Sequence, residues 1–278
     1  MATRTSQAAP LGDTDPFTPT PASPVRVRAR DMPADTHFEP HRHAWGQLAY
    51  CASGVIQVSV HAPDAATAYI VPPSRAVWIA PGALHAVAVL EAAAFRTLYI
   101  DPGVVPADGA SCRVLAVTPL LRELVSALDP VGGPHPGAAR EAALTALVLD
   151  EIGQAERLAL GVPLPGPHSD KRLRALCQAV LHEPGRYATL QDWAADSGAS
   201  ERTLARLFRA QFGMGFAQWR RQAVLAHALP RLARGEPVGQ VAAGSGYASE
   251  SAFSAMFKAA MGQSPRRFLG LQQPAPAQ

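Results

Sequence analysis

SERTLARLFRAQFG, Ser200 to Gly213, carries two stripes at helical spacing. Leu204, Leu207, Phe208 and Phe212 form one, expected to face a core; Arg202, Ala205, Arg206 and Arg209 form the other, on the opposite side. Three guanidinium groups on one solvated stripe, with little acid beside them, suit a polyanion. Just upstream, Leu190-Gln-Asp-Trp-Ala-Ala-Asp-Ser-Gly198 reads as a short helix closed by a glycine, and Ser200 stands where the N-cap of the next helix belongs. Helix, tight turn and capped helix predict a helix-turn-helix whose second helix reads DNA.

The motif has an echo. Leu204, Phe208, Arg209 and Gly213 return forty-nine residues later as Phe253, Phe257, Lys258 and Gly262, within SESAFSAMFKAAMG. Upstream, Ala194, Ala195, Ser197 and Gly198 return after forty-eight as Ala242, Ala243, Ser245 and Gly246, so the second copy has one extra residue in its turn. Phe216 to Arg234 could join the copies as one helix of about 28 Å. That is close to the roughly 34 Å of one DNA turn, which would admit both readers to successive major grooves. Pro230 inside this helix is expected to kink or divide it.

The last hundred or so residues resemble the DNA-binding domain of the AraC/XylS family of bacterial transcription regulators. Leu204, Phe208, Gly213, Arg221, Ala226 and Leu229 carry the likeness, and VAAGSGYASESAFSAMFK (Val241 to Lys258) with Gly262, Ser264, Pro265 and Phe268 carries it most densely. The resemblance implies that the first recognition helix makes most base contacts. Here its DNA-facing set is Ser200, Arg202, Ala205, Arg206 and Arg209. The matching set in the second copy is Ser249, Glu250, Ser251, Ser254 and Lys258, only weakly basic and therefore expected to be less selective.

Charge is divided in agreement with this. Residues 1–169 hold 11 Lys/Arg against 15 Asp/Glu, while residues 170–278 hold 14 against 7. The basic half is expected to bind the polyanion. Cys51, Cys112 and Cys177 are isolated thiols without metal-type spacing, which suits a reducing compartment. With neither a signal-peptide core nor an apolar run long enough to span a bilayer, the expected location is the cytoplasm, with no membrane partner.

The N-terminal part reads differently. Residues 1–24, rich in Pro, Thr, Ala and Ser, are expected to be disordered. Val25-Arg-Val-Arg-Ala-Arg30 alternates as a strand with one wet face does. Short runs follow at 47–51, 55–61, 68–71, 76–79, 86–90 and 95–100, with turn signals at Ser53-Gly54, Pro63-Asp64, Pro72-Pro73 and Pro81-Gly82. This pitch predicts a small β-barrel or sandwich. Helical periodicity appears over 119–128 and 138–160, with Leu144, Leu147, Val148, Ile152 and Ala155 on one stripe. These helices either form a dimer interface or pack on their own barrel.

His41-Arg-His43, then Gln47, Gly54 and Pro81-Gly82-Ala-Leu-His85, are similar to the two cupin motifs, with Gln47 where metal-binding cupins usually carry Glu. Alternation turns His41 and His43 to one side of a strand, and a neighbouring strand can add His85. Three imidazoles, with Gln47, would suit a divalent transition metal. They equally suit a metal-free effector pocket, to which Trp45 and Trp78 are assigned, with Tyr50 and Tyr99 nearby. Arg75 either meets an acidic ligand or lies on the surface.

The expected fold is therefore two-domain α+β. It has a disordered tail (1–24) and a cupin-like barrel with flanking helices (25–162, a dimerisation candidate at 115–160). A linker (163–169) leads to two helix-turn-helix motifs joined by a long helix (170–271), and a disordered end follows (272–278). The expected function is a one-component, sequence-specific transcription regulator that is not an enzyme. Its expected partners are double-stranded promoter DNA, a small-molecule effector, RNA polymerase and a second copy of the chain. Two other readings remain: a metal-dependent cupin enzyme fused to a DNA-binding domain, and an effector-independent DNA-binding protein.

Overall fold

A computed structural model of the chain describes residues 7–11, 14–62, 65–105, 111–129, 137–158 and 160–270. The end expected to be disordered at 272–278 and the Pro63-Asp64 turn lie outside these residues. The fold is α+β, β-rich in its N-terminal part and helical in its C-terminal part. It divides into two compact units, Met1–Val60 with Tyr69–Ala159, and His61–Ala68 with Leu160–Gln278.

The first unit holds β1 (Gln7–Ala8), β2 (Val25–Met32), β3 (Thr36–His41), most of β4 (Gly46–Ala62), the end of β5 (Ala65–Val71), β6 (Arg75–Ile79), β7 (Leu84–Ile100), β8 (Arg113–Ala116) and β9 (Arg157–Leu158). Helices α1 (Pro119–Leu128) and α2 (Ala138–Gln154) come between β8 and β9. Long β7 organises the sheet: it pairs with β2 from Val25↔Ile100 to Met32↔Ala93, and with β3 through Phe38↔Val87 and His41↔His85. On its other flank the order continues β4-β6-β8-β9. Val25, Val27, Leu48, Tyr50, Trp78 and Leu98 form one core with Leu121, Leu124 and Val125 of α1 and Val148 and Ile152 of α2.

Several expectations are corrected here. Residues 7–11 and 14–24 are not a structureless tail. Gln7 N donates to Asp35 O and Ala9 N to His37 O, both at 2.7 Å, so β1 lies parallel to β3. The composition pointed the other way because this edge is held by backbone groups, which composition does not report. Ser53-Gly54 does not end a strand either: β4 runs through it, with Gly54 at φ +79° against the backbone of Ala92. A side chain there would strike that backbone, so glycine bends the strand without breaking it. The helix expected to reach residue 160 stops at Gln154 and the chain returns as β9.

The second unit opens with β10 (Gly161–Pro165), followed by α3 (Lys171–His182), α4 (Leu190–Ser197), α5 (Glu201–Phe212), α6 (Phe216–Ala233), α7 (Val238–Gly244), α8 (Glu250–Met261) and α9 (Pro265–Gly270). The stretch read as a linker at 163–169 thus begins inside a strand. Val162 is buried and Trp219 Nε1 donates to Pro163 O at 2.7 Å. Prolines that signal a linker are also tolerated in a strand whose N–H groups are not required. Leu173, Leu176, Val180, Trp193, Leu204, Phe208, Phe216 and Trp219 form the core around the first helix pair. In the second copy Phe253, Phe257 and Phe268 repeat that aromatic packing, with Phe257 and Phe268 ring centroids 5.8 Å apart. Pro230 falls within α6, which continues to Ala233. A proline so near the end removes a hydrogen bond only from the closing turns.

Candidate functional site

The two prospective reading helices are built alike. Ser200 Oγ accepts from Thr203 N and Ser249 Oγ accepts from Ala252 N, each at 3.2 Å, so each helix starts on a serine cap. Gly213 and Gly262 close them in the left-handed region at φ +67° and +73°. The preceding turns carry Gly198 and Gly246, also left-handed. Leu204 and Phe208 on α5 are fully buried, as are Phe253 and Phe257 on α8. Burial of these faces fixes which residues remain outside.

On α5 those residues are Arg202, Arg206 and Arg209, all exposed. Among the described residues none of the three side chains makes a hydrogen bond or ion pair. Ala205 is half-buried and packs toward the core, so it is less available than the arginines. On α8 the polar side chains are more engaged. Arg266 donates to Glu250 at 3.1 Å, and Ser249 and Ser251 hydroxyls lie 3.0 Å apart. Ser254 is half-buried, which leaves Lys258 as the exposed cation of α8.

A buried arginine that the sequence reading passed over connects the two motifs. Arg220 on α6 donates from Nη2 to Pro184 O at 2.8 Å and to Ser245 O at 3.2 Å. Pro184 precedes the first helix pair and Ser245 caps α7 in the second. Gly185 and Gly246 meet beside it so closely that a Cβ on Gly185 would strike the Gly244 backbone. One guanidinium thereby satisfies a carbonyl just ahead of the first motif and one inside the second, and two glycines permit the approach.

In the first unit the bulge in β3 and the His41↔His85 register bring His41, His43 and His85 together. One ring nitrogen from each lies within 4.8 Å of the others. Each Nδ1 faces a backbone carbonyl: His41 that of Glu39 at 2.8 Å, His43 that of Trp45 at 2.8 Å, and His85 that of Ala83 at 2.9 Å. A carbonyl accepts only, so each neutral ring carries its proton on Nδ1 and keeps the Nε2 lone pair for another partner. Burial pushes the His43 imidazole below its ordinary range, which favours this neutral form. The Gln47 amide lies 2.7 Å from His43 Nε2. That lone pair is satisfied by the amide turned NH2-first or by a cation. Three such imidazoles and an amide oxygen are a donor set that fits a borderline transition metal.

Trp45 stacks on His43 at 5.0 Å and lies 5.6 Å from Tyr99, so it belongs with the cluster. Trp78 does not. It is fully buried, and β4 pairs it with Leu48 while Gln47 pairs with Ile79. Cross-strand partners share a face, so Gln47 faces the histidine cluster while Trp78 faces the helix-covered core. Tyr50 belongs to that same core. Arg75 is neither on the surface nor among the cavity-lining residues: it is buried and donates to Ser74 O. The cavity is lined instead by Arg28 and Arg30 with Phe38, His41, Gln47, Phe95, Thr97 and Tyr99. The signal was present in Val25-Arg-Val-Arg-Ala-Arg30, but an alternating basic face reads the same toward solvent or toward a cavity.

Residues 23–193 match the family described as AraC-like ligand binding domain, and residues 193–270 match a helix-turn-helix domain family. The chain is 33% identical over 229 residues to the HTH-type transcriptional regulator NimR of Escherichia coli (strain K12), covering 82% of this chain and 81% of that protein. It is 31% identical over 99 residues to the HTH-type transcriptional activator RhaR of Yersinia pseudotuberculosis (serotype O:1b, strain IP 31758), covering 35% of this chain and 34% of the relative. Among solved structures it is similar to unsaturated fatty acid bound ToxT from Vibrio cholerae strain SCE256, at 14% identity and a TM-score of 0.37, over 92% of this chain and 98% of that one. The chain belongs to the AraC family of transcription regulators, with a ligand-binding domain ahead of a helix-turn-helix DNA-binding domain.

Proposed function

We propose that this is a cytoplasmic one-component regulator in which α5 reads promoter bases, α8 adds a weaker second contact, and an effector in the β-rich unit shifts the population of DNA-competent arrangements. The observation that carries the reading is the exposed, unengaged row of Arg202, Arg206 and Arg209 on a helix fixed by its Ser200 cap and its buried opposite face. The β-rich unit acts as a sensor and not as a catalyst, which the regulators among its relatives support. RNA polymerase is the proposed downstream partner. Leu120 and Leu147, the exposed leucines of α1 and α2, are the proposed dimer contact. Changing both to glutamate should convert a sedimenting dimer to monomer; an unaltered sedimentation coefficient would place the interface elsewhere.

The test begins with selection of sites from random DNA by the full chain. On the selected site Arg206→Ala is expected to cost about 1–3 kcal/mol and relax preference at one base position. Arg209→Ala is expected to weaken all sequences alike and lower the salt slope by about one phosphate contact. Equal losses on selected and random DNA for Arg206→Ala would reassign it to the backbone. An unchanged salt slope for Arg209→Ala would remove it from the interface.

His41, His43 and His85, with Gln47 as a fourth donor, are the proposed holders of a divalent transition metal. A metal there would anchor β3 to β7 and present a Lewis-acid position to an effector. Protein purified without a histidine tag is expected to carry near-stoichiometric metal by elemental analysis, and the His41→Ala/His85→Ala variant to carry almost none. Equal metal in both would refute the assignment. No metal in either would leave the histidines as effector contacts alone.

A further inference from the structure

We propose that the cavity of the β-rich unit recognises a small carboxylate: Arg28 and Arg30 hold its acid group, and Thr97 hydrogen-bonds to it. The proposal rests on the regulator reading and names the chemical class of its ligand. Alternation on β2 sends Val25 and Val27 into the helix-covered core and sets Arg28 and Arg30 among the cavity-lining residues. Arg28 stands opposite Thr97 on β7 and Arg30 opposite Phe95, and all four line the same space.

Among the described residues that line the cavity there is no carboxylate. Asp31, the one acid on β2, pairs with Arg96. Arg30 donates to the neutral carbonyls of Pro10 and Leu11 and lies 5.3 Å from the Phe38 ring centre. Arg28 lies 4.9 Å from the Phe17 ring centre, and no hydrogen bond is recorded for it among the described residues. Two guanidinium groups two residues apart on one strand face repel each other, and burial together with Arg28 pushes Arg30 below its ordinary range. A bound anion relieves both costs, and a planar carboxylate fits the guanidinium fork.

Thr97 is an independent observation. It is only 2% exposed, and its hydroxyl has no hydrogen-bond partner among the described residues although it lines the cavity. Buried hydroxyls are ordinarily satisfied, so an unpartnered one facing a cavity marks a position for a ligand atom. Phe38, Phe95 and Val87 supply apolar walls around a free volume of about 20 Å³, which admits a group only a few atoms across and favours a small carboxylate over the more polar inorganic phosphate.

The test is calorimetry on the full, metal-stripped chain with formate and acetate, each against its neutral amide. At least one acid should bind about ten-fold or more tightly than its amide, with the difference shrinking as salt rises. Arg28→Gln/Arg30→Gln should lose that preference, and Thr97→Val should weaken acid binding roughly three- to ten-fold. Equal affinity for acid and amide, or no binding of either acid up to about 10 mM, would overturn the proposal. So would acid binding that survives the double arginine change but is lost in His41→Ala, because the anion would then sit on the histidines. Should the arginine variant not fold, the acid-against-amide comparison on the unaltered chain decides. Binding to the selected DNA site is measured in parallel on the same samples. Specific DNA binding without acid binding sinks this proposal alone, whereas the absence of any selectable DNA site sinks the regulator reading on which it rests.

Discussion

Phe208→Ala is expected to destabilise the helical unit by about 3–5 kcal/mol and to abolish DNA binding with it. The side chain is fully buried at the centre of an aromatic cluster, with ring centroids 5.6 Å from Phe212, 5.3 Å from Phe216 and 5.4 Å from Trp219. Truncation removes the transfer free energy of the ring and leaves a cavity that capped helices on either side cannot easily close. Most domains are stable by only about 5–15 kcal/mol, so the loss is a large fraction of the total. Because α5 carries the exposed arginines on its opposite face, loosening the buried face also releases them from a common orientation. Denaturant titration followed by far-UV circular dichroism checks the prediction. A loss below about 1 kcal/mol would mean that the cluster repacks and that α5 is held mainly by its caps.

Arg220→Met is expected to act on geometry more than on folding. Methionine keeps most of the volume and removes the cost of burying a charge, which pushes the Arg220 guanidinium below its ordinary range. It also leaves Pro184 O and Ser245 O without their shared donor. These effects oppose each other, so the net change in stability should be modest, about 1–3 kcal/mol. The consequence for DNA lies in geometry. Helix α6 already joins the motifs covalently, and the Arg220 guanidinium adds a fixed orientation between them, so little orientational freedom is lost when the second reader engages. Arg220→Met should weaken binding to the selected site about ten-fold while tolerating a one-base-pair change in half-site spacing that the unaltered chain rejects. If the variant keeps both full affinity and strict spacing, the packed glycines Gly185 and Gly246 suffice to set the geometry.

Much of the helical unit was legible before any coordinates. Ser200, Gly213, Ser249 and Gly262 are capping residues that act within one helical turn, and Leu204, Phe208, Phe253 and Phe257 recur at the helical period. Such signals are local, so a one-dimensional pattern carries them. Strand ends are less legible: Gly54 reads as the end of a strand that in fact passes through it, because a glycine that turns a chain and one that admits a neighbouring backbone look alike. The β1 edge and the strand at β10 were missed for a related reason, since both depend on backbone or single side-chain contacts with distant residues.

The same division separates the two sites. By itself the sequence determined the family, the helix-turn-helix repeat and the arginine face of α5, because spacing along one helix already places those side chains together. His41 and His43 also group by spacing, whereas His85 joins them through the likeness to the cupin motifs and the pairing of β3 with β7. Only the tertiary structure decided that Trp78 and Tyr50 belong to the core, that Arg28, Arg30 and Thr97 line the cavity, and that Arg220 joins the two motifs. Alternation along a strand specifies two faces but not which of them is covered. That choice is made by the α1 and α2 helices packing on one side of the sheet, and by carbonyls such as Pro184 O and Ser245 O, which lie far from Arg220 in the chain and close to it in space.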